Sequence, residues 1–212
     1  STPEYLYGKE PNQFLQDSFN KHKSLFIEPI LMLGDGEGRN GVFLASHNLE
    51  VYSLDFSKVA LEKAKKLAEE KNTKLQLIFE DVTKFEFVPN YWGSIILIYL
   101  HLLEEERTKL YDKIKKSLKP GGIFFLEVFL KEQINYQSGG PKNLDLLYSL
   151  EELKTNFKDF EIIVADKLII NLNEGYLHKG EGSVIRFLAQ KQNKNGDYYG
   201  SCYKSKGRRN TW

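Results

Sequence analysis

From residue 29 onward, the chain alternates short, nearly unbroken apolar runs with longer stretches in which apolar residues recur every three or four positions. The first kind suits strands buried on both faces and the second suits amphipathic helices laid against them, so the alternation predicts a parallel sheet flanked by helices. Strands are expected at 30–33, 51–55, 75–79, 94–99 and 123–129, and helices at 41–47, 57–71, 104–118 and 150–157. Ser57 is positioned to cap the second of these helices, whose apolar face runs Val59, Ala60, Leu61, Ala64, Leu67 and Ala68. The third begins with acids and ends with lysines, as the helix dipole favours, and Lys119-Pro120-Gly121-Gly122 is expected to stop it in a turn. Two further strands, at 160–170 and 183–190, are separated only by the polar, glycine-containing segment 171–182 and should pair antiparallel.

Composition narrows the setting. A length of 212 residues suits one domain, expected over 1–190, followed by a polar, basic tail at 191–212 that reads as flexible. With 30 basic and 29 acidic residues the net charge is +1, which gives no overall attraction to nucleic acid or acidic lipid, so any charged ligand must be held locally. The single cysteine, Cys202, excludes an intramolecular disulfide and a CxxC metal site, and no metal is expected. No apolar stretch approaches membrane-spanning length and the first residues lack a basic-then-apolar leader, so a cytoplasmic protein away from the membrane is expected.

The chemistry centres on Leu33-Gly34-Asp35-Gly36-Glu37-Gly38-Arg39-Asn40, a glycine-rich run between a strand and a helix. Open α/β sheets bind nucleotides at such a place, and glycine lets the backbone approach the ligand closely. Gly36-Glu37-Gly38-Arg39-Asn40-Gly41 also satisfies the dinucleotide pattern, with Asp55 at the distance of a ribose-binding acid, so an NAD(P)-dependent oxidoreductase is one reading. A second acid in Glu80-Asp81-Val82, just past the third strand, suits an exposed adenine amino group and tips the balance toward S-adenosylmethionine. The plainer alternatives are a helix N-terminal acid for Asp55 and a solvated turn residue for Asp81.

The string Gly34-x-Gly36-x-Gly38-Arg39-Asn40, followed by an apolar helix and a strand ending in Asp55, resembles the tellurite-resistance-type enzymes within the class I S-adenosylmethionine-dependent methyltransferases. The likeness extends to Tyr5-Leu6-Tyr7-Gly8-Lys9-Glu10-Pro11-Asn12-Gln13-Phe14, to His101-Leu102, to Leu118-Lys119-Pro120-Gly121-Gly122 and to Gly139-Gly140-Pro141-Lys142. It implies a Rossmann-like, mostly parallel seven-stranded sheet closed by an antiparallel strand, with an N-terminal helical lid. The implied cofactor site comprises Tyr7, Asn12, Gly34, Asp35, Gly36, Glu37, Gly38, Arg39, Asn40, Asp55, Phe56, Ser57, Asp81, Val82 and Tyr99, with Tyr7, Gly8 and Asn12 in the lid. The chain departs from the common pattern at Met32, where many class I enzymes carry an acid, and at Asp35, where a cysteine is usual. Arg39 is open to two roles, pairing with Glu37 or Glu10 or binding the cofactor's carboxylate.

Methyl transfer from a sulfonium needs alignment and exclusion of water more than a nucleophilic side chain, and soft acceptors need little help from a base. Candidates for such help are His101, at the carboxyl edge of the sheet, and His178, which the resemblance turns toward the substrate, with Arg186 as an anion-binding candidate. Tyr136 and Gly139-Gly140-Pro141 are expected to help cover the acceptor. The expected partner is a small-molecule methyl acceptor such as a tellurite or selenite oxyanion, a thiol or a thiopurine, and a homodimer is admitted. A nucleic-acid or protein methyltransferase that uses Lys204, Lys206, Arg208 and Arg209 is the alternative, against which the balanced overall charge weighs.

Overall fold

In a computed structural model, residues 5–192 are described. Their strands are β1 (Ile30–Leu33), β2 (Val51–Asp55), β3 (Gln76–Phe79), β4 (Trp92–Ile98), β5 (Leu118–Phe129), β6 (Phe160–Glu174) and β7 (His178–Lys191). The helices are α1 (Gln13–Lys21), α2 (Arg39–Ala45), α3 (Lys58–Glu70), α4 (Glu104–Ser117) and α5 (Leu150–Asn156). All strands form one seven-stranded sheet in the order β3-β2-β1-β4-β5-β7-β6. The pairs from β3 to β5 are parallel, and β7 runs antiparallel to both its neighbours.

Strand side chains alternate between faces, and here both faces are covered. Leu31, Leu33, Ile95, Leu97, Phe124 and Leu126 pack on one side with Leu110, Tyr111 and Ile114 of α4 and Leu153 of α5. Ile30, Met32, Ile96, Ile98 and Phe125 pack on the other with Phe14, Leu15 and Phe19 of α1 and Leu44 of α2. Double burial is why these strands read as continuous apolar runs rather than alternating ones. Ser57 caps α3 as expected, its hydroxyl accepting from the Ala60 amide at 3.3 Å. Among the described residues no helix is long and apolar enough to cross a membrane.

Three differences from the sequence expectation matter for the site. Helix α2 begins at Arg39 rather than at 41, so Arg39 and Asn40 lie in its first turn, directly after the loop. The Pro-Gly-Gly segment is a bulge inside β5 and not a stop before it: Trp92 pairs with Leu118 and Ser94 with Ile123, which leaves 119–122 looped out. The expected connector 171–182 is mostly strand, paired from Asn171 with Glu181 down to Glu174 with His178. Main-chain pairing is indifferent to polar side chains, so the hairpin extends until Gly175-Tyr176-Leu177 turns it. Gly175 has φ +65°, and a Cβ there would lie 2.3 Å from the Leu6 carbonyl oxygen. Lys191 closes β7, and the expected flexible tail beyond it lies outside the described residues.

Candidate active site

The chain leaves β1, moves outward through β2 and β3, and returns across the sheet to β4 on the other side of β1. That reversal opens a crevice at the carboxyl ends of β1 and β4, the place where such sheets hold ligands. The glycine loop fills one side. Gly34, Gly36 and Gly38 take φ of +63°, +58° and +84°, values that side chains resist. Gly34 donates to the Leu54 carbonyl at 2.8 Å, which ties the loop to β2. A Cβ on Gly38 would stand 2.5 Å from that of Ala64, so the loop lies tight against α3. At Gly36 an added Cβ meets nothing within 4 Å, and this glycine faces the open crevice.

The loop's acids hold its shape. Asp35 is buried and accepts from the Ser53 hydroxyl and from the Gly41 amide at 3.2 Å. Burial pushes its carboxyl up to about 7, against the opposing effect of those two donors. Asp55, ending β2, accepts from the amides of Gly36 and Ser57, each at 2.8 Å. Glu37 reaches the N-terminal arm, accepting from the Leu6 amide at 2.7 Å and from Lys63.

Opposite the loop lies a buried network that joins four elements. Glu127, fully buried in β5, accepts at Oε1 from Asn12 Nδ2 at 2.6 Å and from the Tyr99 hydroxyl at 2.7 Å. Its Oε2 accepts from Arg186 Nε at 2.6 Å. Asn12, buried, caps α1 and also donates to Glu174 Oε1 at 3.0 Å, while Asn40 accepts from its amide at 2.8 Å. Glu174 takes Arg39 NH2 at 2.9 Å and His178 Nδ1 at 3.3 Å. Burial alone would raise the Glu174 carboxyl, but His178 and Arg39 outweigh it and hold that group below the ordinary glutamate range. Tyr99, at φ +53° just past β4, is pushed well above the usual phenol value by burial and by Glu127.

Two cavities share this wall. The larger, of about 570 Å³, runs between the glycine loop, the arm at Leu6 to Gly8, and Tyr99 with His178. The smaller, of about 360 Å³, is lined by Phe129, His101, Leu177 and the segment Gly139 to Pro141, and it meets the larger at Tyr7, Tyr99 and His178. Both fall in the size range of small-molecule pockets. His101 Nδ1 donates to the Leu146 carbonyl at 2.9 Å, and burial takes the ring's pKa down to about 4, so the imidazole is neutral.

The family model that describes a methyltransferase domain matches residues 30–122. Over 119 residues, 53% of this chain, the sequence is 32% identical to phosphoethanolamine N-methyltransferase 1 of Triticum aestivum, of which the match spans only 23%. TehB from Haemophilus influenzae superposes with a TM-score of 0.68 at 18% identity, over 85% of this chain and 62% of that one. A protein solved in work on conversion of a disulfide bond into a thioacetal group during echinomycin biosynthesis superposes with a TM-score of 0.72 at 13% identity, over 92% of this chain and 87% of that one. The fold is that of the class I S-adenosylmethionine-dependent methyltransferases.

Within this methyltransferase fold, the larger cavity collects most of the residues expected at the cofactor. Gly34, Asp35, Gly36, Glu37, Arg39 and Asn40 line it from the loop, and Asp55, Phe56 and Ser57 from the end of β2. Tyr7 and Tyr99 line it from the arm and from β4. Asn12 and Gly38 stand behind the lining, Asn12 in the buried network and Gly38 against Ala64. The crevice residues fit an adenosyl group: open space at Gly36, an acid at Asp55 and the exposed ring of Phe56 lie along one wall.

Several expectations are corrected. Asp81 does not line the cavity, because its carboxylate turns onto Thr83, accepting from the amide at 2.9 Å and the hydroxyl at 2.8 Å. Val82 is buried in the core under the sheet. Arg186 lines neither cavity: its Nε donates to Glu127 and its guanidinium lies 5.0 Å from the Phe14 ring centroid. Arg39 pairs with Glu174, and meets Glu10 only through the backbone carbonyl at 3.3 Å. Tyr136 lies outside the smaller cavity's wall, whereas Gly139, Gly140 and Pro141 form part of it. Sequence reasoning missed Glu127 and Glu174. A lone acid inside the apolar run 123–129 was the available signal for Glu127, since central strands rarely bury a charge without purpose. Glu174 had none, because its position depends on how far the hairpin extends.

Proposed function

We propose that the protein is an S-adenosylmethionine-dependent methyltransferase that acts in the cytoplasm on a small, soft acceptor of the tellurite, selenite, thiol or thiopurine kind. The observation that carries this reading is the pair of cavities joined at Tyr7, Tyr99 and His178, one bounded by a glycine loop and the other by two histidines and aromatic rings. Bound S-adenosylmethionine would supply an electrophilic methyl carbon on a positively charged sulfur and leave as S-adenosylhomocysteine. Asp55 suits the ribose: each carboxylate oxygen takes one backbone amide and retains a lone pair for a hydroxyl. Gly36 lets the backbone come close. His178 donates through Nδ1 to Glu174, which orients the ring and leaves Nε2 to accept a proton from an acceptor that must lose one. The shared wall would let an acceptor in the smaller cavity face the methyl carbon from the larger, the alignment that an in-line displacement needs.

Equilibrium titration with labelled S-adenosylmethionine tests the reading. Saturable binding displaced by S-adenosylhomocysteine is expected, and a folded protein that shows none would sink it. Asp55→Ala should weaken that binding by tenfold or more, about 1.4 kcal/mol or above. Unchanged affinity would remove Asp55 from the ribose role.

A further inference from the structure

We propose that the smaller cavity receives a neutral acceptor with an apolar body and one N–H, O–H or S–H group, which it offers to His101 Nε2, and that it disfavours inorganic oxyanions. The inference rests on the methyltransferase reading and narrows its acceptor class.

Three observations carry it. Among the described residues that wall the cavity there is no lysine or arginine: the surfaces are the rings of Tyr7, Tyr99 and Phe129 and the imidazoles of His101 and His178, with Leu177 and Pro141. Charges just behind the wall are carboxylates, Glu127 bonded to the Tyr99 hydroxyl and Glu174 bonded to His178. The cations nearest those acids are already paired with them, Arg186 with Glu127 at 2.6 Å and Arg39 with Glu174 at 2.9 Å. An oxyanion entering the cavity would leave water for a surface with no lysine or arginine to receive it.

The second observation is an unanswered acceptor. Only two buried side-chain polar atoms among the described residues lack a hydrogen-bond partner, Trp92 Nε1 and His101 Nε2. Since Nδ1 faces the Leu146 carbonyl, which can only accept, the hydrogen of the neutral ring is on Nδ1 and Nε2 carries a lone pair. Leaving such an atom unpaired is destabilising, so a ligand that answers it gains by doing so. The N–H, O–H or S–H of a neutral ligand satisfies it without bringing a charge into the cavity. The ring is held for this: it stacks on Phe129 at 5.6 Å and meets Tyr148 edge-on at 5.7 Å.

Third, the space depends on missing side chains. A Cβ on Gly139 would come within 2.7 Å of the His178 ring, and one on Gly140 within 2.6 Å of the Phe129 ring. Both glycines therefore lie against these rings, which themselves pack edge to face at 5.2 Å, so this side of the wall is apolar and closely packed.

The test uses the full chain saturated with S-adenosylhomocysteine and titrates in benzyl mercaptan, phenol and benzimidazole on one side and selenite and tellurite on the other. Calorimetry and the ¹⁵N shift of His101 Nε2 are the readouts. We expect at least one neutral compound to bind and move the Nε2 resonance, with the oxyanions at least tenfold weaker. His101→Asn retains an N–H for Leu146 but deletes the Nε2 acceptor. It should weaken the neutral compound tenfold or more, with S-adenosylhomocysteine affinity unchanged within twofold as the check on folding. If that variant does not fold, the wild-type resonance and the ranking of ligands decide alone. Oxyanions that bind as tightly as every neutral compound, no neutral binding, or a silent Nε2 resonance would overturn the inference. Failure of S-adenosylhomocysteine itself to bind would instead overturn the methyltransferase reading beneath it.

Discussion

Asp35 shows what one residue costs and contributes under the glycine loop. Its carboxyl titrates at about 7, whereas an unfolded aspartate titrates near 3.9. Between those values the native chain holds a proton that the unfolded chain has lost, so this group's contribution is fully present below the unfolded value and is lost as pH rises through 7. At roughly 1.4 kcal/mol per unit, the effect is on the order of a few kcal/mol. Asp35→Asn should therefore flatten the fall in unfolding free energy between about pH 4.5 and 8, as followed by urea melts. Parallel profiles for the two proteins would refute the assignment. At this scale the residues expected from sequence that the structure gathers around the two cavities are those whose type and place coincide: Asp55 at a strand end, Gly34 and Gly36 of the loop, Tyr99, His101 and His178. It misled at Asp81, where Thr83 two positions on is itself the sign of an aspartate folding back on its own turn.

Among elements, the glycine loop and α3 are matched by contact rather than by charge. Gly38→Ala would drive a methyl into Ala64 at a backbone φ of +84°, with overlap and strain together costing about 2–4 kcal/mol. Gly36→Ala meets open space, so strain alone, about 1–2 kcal/mol, should weigh on its stability. Its methyl should nevertheless obstruct the crevice. Denaturant unfolding and S-adenosylhomocysteine titration of both variants separate the two effects: Gly38→Ala should lose more stability, and Gly36→Ala more affinity per unit of stability lost. Equal losses on both readouts would contradict the geometry. The strands were legible wherever apolar runs coincide with double burial, as in β1, β2, β4 and most of β5. The long hairpin and the β5 bulge were not, because main-chain pairing sets both and leaves little trace in side-chain pattern.

On the scale of the molecule, segments distant in sequence close over one crevice. The arm meets the hairpin where the Tyr176 amide donates to the Leu6 carbonyl at 2.9 Å, and Asn12 bridges Glu127 to Glu174. The roof and the far side of the sheet should then tighten as one. Saturation with S-adenosylhomocysteine is expected to slow amide hydrogen exchange in 5–12 and in 172–180 together, with thermal stability rising by about 2.7 kcal/mol at a hundredfold excess over Kd. Protection confined to the glycine loop would show that the roof does not respond to the ligand.

Tyr7, Tyr99 and His178 belong to both cavities, so neither ligand meets a wall indifferent to the other. A rearrangement of that wall that favours one occupant alters the other's affinity, and thermodynamic reciprocity makes the two effects equal. Whatever factor separates acceptor binding with and without S-adenosylhomocysteine must also separate S-adenosylhomocysteine binding with and without acceptor. Three side chains thereby make the order of loading and release a property of the wall itself.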